Sequence, residues 1–282
     1  MNNKLKRIII FFTLCIVLTG IVFFIKNYHD NSIENTYINY VENTLIPKYG
    51  KSSLYLENGN DLTIEGKKLL NKDAEGILFY KTLNLNKDTN KNLLVLRTNK
   101  KYNLEYEGSI GVELIYDIYT IDNKKIKQIK ICENKFYLLG DFLNDPQKNT
   151  VEYSIFTTKN EPQNHFCTNY TSLYFPKNGF FFRLKIFKLD ENNSSINLEY
   201  ELPVEVNTLN NSEHNFKIIQ SKKDYDLIFK NKIDLKNKCI SDTQKYGLSN
   251  LIKNIFHYTE NKSFTDISKL NNINKIISIK IK

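Results

Sequence analysis

The sequence predicts a mainly β fold, an antiparallel sheet or sandwich and α+β overall, with an N-terminal transmembrane helix, a following helix and a C-terminal helix. Three observations carry that expectation. Between about Ser53 and Phe229, short runs rich in Tyr, Phe and Ile alternate apolar with polar residues, which is the period of a strand. Helical spacing appears only at the two ends of the chain. A single run, Ile8 to Ile25, is apolar enough for a membrane. With 282 residues, 41% hydrophobic and 13% aromatic, the chain can bury a core, so wholesale disorder is excluded. Four cysteines and ten glycines exclude a disulfide scaffold and a collagen-like chain, and the single apolar run excludes a polytopic transporter.

Residues 1–7 read as a short cytoplasmic tail and residues 8–25 as the anchor. The run IIIFFTLCIVLTGIVFFI holds no charge and, at about 1.5 Å per residue, rises roughly 27 Å, close to a hydrocarbon core. Lys4, Lys6 and Arg7 precede it, whereas Lys26 alone follows before His29, Asp30 and Glu34. The positive-inside rule then keeps the N-terminus in the cytoplasm and places the chain from about Asn31 in the periplasm or outside the cell. A cleaved signal peptide fits less well, because the run closes on Phe24-Ile25-Lys26-Asn27-Tyr28 and has no small-residue cleavage site. Cys15 follows Leu14 rather than a small residue and is not a lipoprotein cysteine.

Residues 31–47 form the following helix or stalk, because Ile33, Tyr37, Val41 and Leu45 recur every four residues and Pro47 then ends the pattern. Residues 53–240 form the β-rich extracytoplasmic domain. Val112, Leu114, Tyr116 and Ile118 alternate with Gly111, Glu113, Ile115 and Asp117; Ile196, Leu198, Tyr200 and Leu202 alternate with Asn197, Glu199 and Glu201. Gly76–Leu85, Leu93–Thr98, Phe136–Leu143, Val151–Thr157 and Gly179–Leu189 are further strand runs, bounded by Asn, Lys and Asp clusters. With no helices alternating between them, they point to antiparallel rather than parallel pairing. Gly76-Ile-Leu-Phe-Tyr echoes Gly179-Phe-Phe-Phe-Arg, and Asn134-Lys-Phe-Tyr-Leu-Leu echoes His214-Asn-Phe-Lys-Ile-Ile. These echoes raise a tandem of two β units, about 53–157 and 165–235, against generic hairpins in a biased composition. Residues 241–282 read as a helical segment packed on the β domain. Ser241-Asp-Thr-Gln244 resembles a capping box, and Leu248, Leu251, Ile252, Ile255 and Phe256 share a face. Ile277, Ile279 and Ile281 alternate with Ser278, Lys280 and Lys282 as a short terminal strand or tail.

The net charge of +9 does not predict nucleic acid as a partner. Only Arg7, Arg97 and Arg183 supply guanidinium groups, whereas nucleic-acid surfaces lean on arginine forks. Lys, Asn and Ile share A/T-rich codons, so the lysine excess reads as a solvated surface. The same bias explains the Asn-x-Ser/Thr sequons at Asn169, Asn192, Asn193, Asn210 and Asn261, since chance alone predicts about five.

Chemistry is sparse. His165-Phe-Cys167 would place imidazole and thiol on one strand face, as a nucleophile pair or two metal ligands, but no second Cys/His pair stands at metal spacing. Asn164–Asn169 reads as loop or strand equally well. Outside the membrane, Cys132, Cys167 and Cys239 allow one bridge, and Cys167–Cys239 is the preferred pairing against three buried free thiols. Asp141 with Asp145, and Asp224 with Asp226, are paired carboxylates in turn-like contexts. Glu107-Gly-Ser-Ile-Gly111 lacks the lysine and helix of a phosphate loop. No catalytic, cofactor-binding or metal-binding residue is assigned, and no cofactor is expected. The expected role is a single-pass, membrane-anchored binding protein, non-enzymatic, of accessory, regulatory or immunity type, with a protein partner at or near the membrane. The alternatives are an exported hydrolase using His165 and Cys167 or an Asp pair, and a structural component of an envelope complex.

Overall fold

A computed structural model describes residues 3–57, 59–85, 91–99, 102–103, 110–138, 149–159, 165–174, 179–190, 195–207, 215–220, 225–229, 246–251, 253 and 272–282. The chain divides into two compact units, Met1–Lys48 and Tyr49–Lys282.

The first unit is helical. Helix α1 (Asn3–Tyr40) runs without interruption through the apolar segment and into the amphipathic one, then passes through a π turn, Val41–Leu45, into α2 (Ile46–Tyr49). The helix expected at 31–47 thus continues directly from the apolar segment. Pro47 does not stop the helix at its N-terminal side. The π turn bonds the Ile46 N–H to the Val41 carbonyl, five residues back, and this widening absorbs a ring that would strike a carbonyl in a regular α turn. Tyr37, Val41 and Leu45, three of the four residues of the expected stripe, are buried. Among the described residues no helix is long and apolar enough to cross a membrane; the described side chains of the apolar run are those of residues 11–23.

The second unit is mainly β. Its strands are β1 (Lys51–Leu56), β2 (Asp61–Ile64), β3 (Gly76–Leu83), β4 (Asn92–Thr98), β5 (Tyr102–Asn103), β6 (Ile110–Asp122), β7 (Lys125–Ile131) and β8 (Lys135–Leu138). They continue as β9 (Asn149–Thr158), β10 (Phe166–Tyr174), β11 (Gly179–Leu189), β12 (Ser195–Asn207), β13 (Asn215–Gln220), β14 (Tyr225–Phe229) and β15 (Ile273–Ile281). A short helix, α3 (Gly66–Leu69), and a 3₁₀ turn, Lys72–Ala74, connect β2 to β3. One sheet, nearly closed, runs in the order β1-β3-β4-β6-β7-β12-β11-β10-β9-β15-β2, with β13 on β12, β14 on β13, and β5 and β8 on β6.

Most pairs are antiparallel, as the alternation predicts. Three are parallel: β1 with β3, β7 with β12, and β2 with β15. The β7–β12 contact spans only Ser195↔Lys130 and Ile196↔Ile131, so it acts as a hinge line across which two halves fold face to face. Gly76 marks a close approach at the start of β3. A Cβ there would lie 2.6 Å from the Gly50 carbonyl oxygen, which accepts the Ile77 N–H. Its φ of +110° suits glycine alone.

The core lies between the two halves. Leu94, Leu96, Leu114, Tyr116 and Ile118 from one meet Tyr153, Ile155, Phe166, Phe187, Ile277 and Ile279 from the other. Rings fix the contact: Tyr116 packs on Phe166 at 5.5 Å between centroids, and Phe136 stacks on Tyr153 at 4.3 Å. The outer faces are buried as well in places, since β4 is buried from Asn92 through Val95 and Leu96. That is why β4 reads as a continuous apolar run rather than an alternation.

Two readings left open by the sequence resolve to strands. Residues from Phe166 onward are strand β10, because they pair with both β9 and β11 along their full length. Residues 273–281 are a terminal strand, as the alternation of Ile277, Ile279 and Ile281 allows, rather than a frayed tail or part of the C-terminal helical segment. Strand β15 sits inside the sheet between β9 and β2, with Ile277, Ile279 and Ile281 fully buried. The helical spacing from Leu248 is described only in part. Ser249–Leu251 are helical, Tyr246, Leu248 and Leu251 are buried, and the Ser241–Gln244 capping box lies outside the described residues.

Burial has a consequence for alkaline stability. It pushes the Tyr116, Tyr153 and Cys167 pKa values up; Tyr153, Cys132 and Glu133 add to the rise at Tyr116, and a hydrogen bond with Thr168 works against it at Tyr153. In the unfolded chain a thiol ionises near pH 8.5 and tyrosines near pH 10. Above those values the unfolded state binds fewer protons than the folded one, so stability is complete below them and falls as pH rises. Each group costs roughly 1.4 kcal/mol per pH unit in that window. Thermal melts between about pH 8 and pH 11 should show this decline, and replacing both Tyr116 and Tyr153 by Phe should make it shallower. An unchanged slope in that variant would remove the two tyrosines as the cause.

Candidate functional site

Three polar constellations stand out among the described residues. The first contains the His/Cys pair. His165 leads into β10, where the strand period puts it on the outer face of the sheet with Cys167. Its Nε2 lies 3.2 Å from Glu199 Oε2, and its ring meets Tyr246 edge-on at 5.1 Å; Tyr246 in turn packs on Tyr200. The contact between His165 and Cys167 is Sγ to the carbonyl oxygen of His165, at 3.7 Å. Cys167 is fully buried and its pKa is raised by that burial. A nucleophilic or metal-binding thiol needs the opposite shift, so this environment holds the sulfur as a neutral, space-filling group. Cys167, Cys132 and Cys15 are free thiols, and Cys239 lies outside the described residues.

That arrangement predicts selective labelling. Cys132 is exposed at the end of β7, whereas Cys167 is sealed. A water-soluble maleimide should modify Cys132 in the native protein and reach Cys167 only after denaturant is added. Peptide mapping of the labelled protein checks it, and rapid native labelling of Cys167 would contradict its burial.

The second constellation is centred on Asp117, which alternation places on the outer face of β6. It is almost wholly buried, at 1% exposure. Arg97 Nε donates to Oδ2 at 2.7 Å, while Gln128 Nε2 and Asn134 Nδ2 donate to Oδ1 at 2.8 and 3.1 Å. The Arg97 guanidinium also lies over the Tyr49 ring at 4.4 Å. Glu113, two turns of the pleat away, takes Asn99 Nδ2 at 2.8 Å and Lys135 at 2.9 Å. A carboxylate with both oxygens occupied is a structural anchor for three strands rather than a general base.

The third lies on the inner face. Lys185 pairs with Glu133 from the turn between β7 and β8, and stands 4.0 Å from Glu201. Arg183 Nε lies 3.4 Å from Glu201 Oε1. Two cations and two carboxylates balance, so the cluster clamps the facing halves without leaving surplus charge for a ligand. Among the described residues, no group of three or more His, Cys, Asp or Glu could hold a metal ion.

Neither the Asp117 centre nor the Lys185 clamp is visible as a motif. Arg97 and Arg183 are two of only three arginines, which is the one sequence signal that marks both places. The carboxylate pair Asp141 and Asp145 lies outside the described residues, as do Asp224 and the side chain of Asp226. Of the sequons, Asn169 is fully buried in mid-strand and bonds Thr171 at 3.4 Å, so the folded domain gives no access to it; the others lie outside the described residues.

No protein-family model, no curated protein and no solved structure matches this chain.

Proposed function

We propose that this protein is a single-pass, membrane-anchored binding protein whose β domain works outside the cytoplasm on a protein partner at or near the membrane. One observation carries the reading. Helix α1 exposes Phe11, Phe12, Leu14, Ile16, Val17, Leu18, Ile21, Val22 and Phe23, each between 49% and 69%, around its whole circumference. A helix that is apolar all round requires apolar surroundings, and each such side chain gains roughly 1.5–3 kcal/mol on leaving water. Residues 8–25 are then the membrane contact, with Tyr28 (73% exposed) at the level where interfacial aromatics sit. The domain itself is the reason for a binding rather than a catalytic role. Its buried carboxylates, Glu113 and Asp117, its imidazole at His165 and its buried thiol at Cys167 are engaged in packing, hydrogen bonds and ion pairs, while no large apolar side chain of the second unit is exposed among the described residues. A partner would therefore be met through polar, lysine-rich surface.

Orientation follows from Lys4, Lys6 and Arg7. Protease added to spheroplasts should digest residues from about 31 onward while a cytosolic marker survives, and alkaline carbonate should leave the intact protein in the membrane pellet. Crosslinking in intact cells should then recover one reproducible protein partner. Protection of the domain in spheroplasts overturns the location, and release by carbonate overturns the anchor.

A further inference from the structure

We draw no further inference here: the strongest candidate, the polar island of Glu152, Ser154, Ser278 and Asn169 on the outer face of β9, β15 and β10, carries none because its hydroxyls and carboxylate bond one another, the Asn169 amide nitrogen is taken by Thr171, and nothing among the described residues shows what covers the remaining Asn169 oxygen.

Discussion

Deleting Ile273–Lys282 is expected to abolish cooperative folding of the β domain. Strand β15 pairs with β9 on one side and is the sheet partner of β2 on the other. Its loss strips Ile276, Ile277, Ile279 and Ile281 from the core. At roughly 1.5–3 kcal/mol for each buried side chain, four isoleucines represent about 6–12 kcal/mol, comparable with the whole stability of a domain. Backbone bonds go too: Gly66 N–H to the Lys282 carbonyl, Lys282 N–H to that of Ile64, and Ser278 N–H to that of Asn60. The truncated protein should lose its near-ultraviolet circular dichroism and its sigmoidal melt. The single change Ile279→Asp, which buries an unpaired carboxylate at the same place, should move the midpoint in the same direction by more than ten degrees, on the order of the largest single-site effects. A truncated domain that still melts cooperatively near the parental temperature would show that β15 is an ornament of the sheet rather than part of its frame.

Asp117→Ala is the second large effect expected. The substitution leaves Arg97, only 14% exposed at its side chain, without its carboxylate, and deprives Gln128 and Asn134 of their acceptor. Removing one member of a buried pair costs about 3–5 kcal/mol, much of it from the charge left behind. The apolar double replacement Arg97→Met with Asp117→Leu should recover most of that loss, because it removes the stranded charge as well as the pair. Denaturant melts of the parent, Arg97→Met, Asp117→Leu and the double variant close a thermodynamic cycle, with Asp117→Ala measured beside them. If Asp117→Ala and the double variant unfold at the same midpoint, the pair is not what makes the position sensitive.

Local pattern made much of this architecture legible. Strands β6 and β12 coincide with runs readable from alternation, β3, β4, β9 and β11 coincide closely with apolar runs bounded by polar clusters, and the spacing of Tyr37, Val41 and Leu45 marks the helix that follows the apolar run. The exceptions share a cause. Strand β7, Lys-Ile-Lys-Gln-Ile-Lys-Ile, is half solvated, so its lysines hide it among polar loop sequence. Strand β10 is polar on one face, with Cys167, Asn169 and Thr171 buried there by neighbouring strands rather than by their own character. Strand β15 alternates only over its last residues, because a bulge between Lys275 and Ile277 breaks the period and puts Ile276 beside Ile277 in the core.

The candidate sites divide along the same line. Placing His165 two residues before Cys167 follows from spacing, but Glu199 and Tyr246 reach His165 only across β12 and a distant segment. The sequence by itself determined the β class, the one apolar run and the helical face after it, because each is written in contacts between near neighbours, where periods of 2 and 3.6 operate. Tertiary structure alone decided strand order, the three parallel pairs, the insertion of the C-terminal strand between β9 and β2, the burial of Asp117 and the pairing of Lys185 with Glu133. Those features join residues tens to hundreds of positions apart. No local period encodes them, since they depend on which free edge and which opposite charge the folding chain finds.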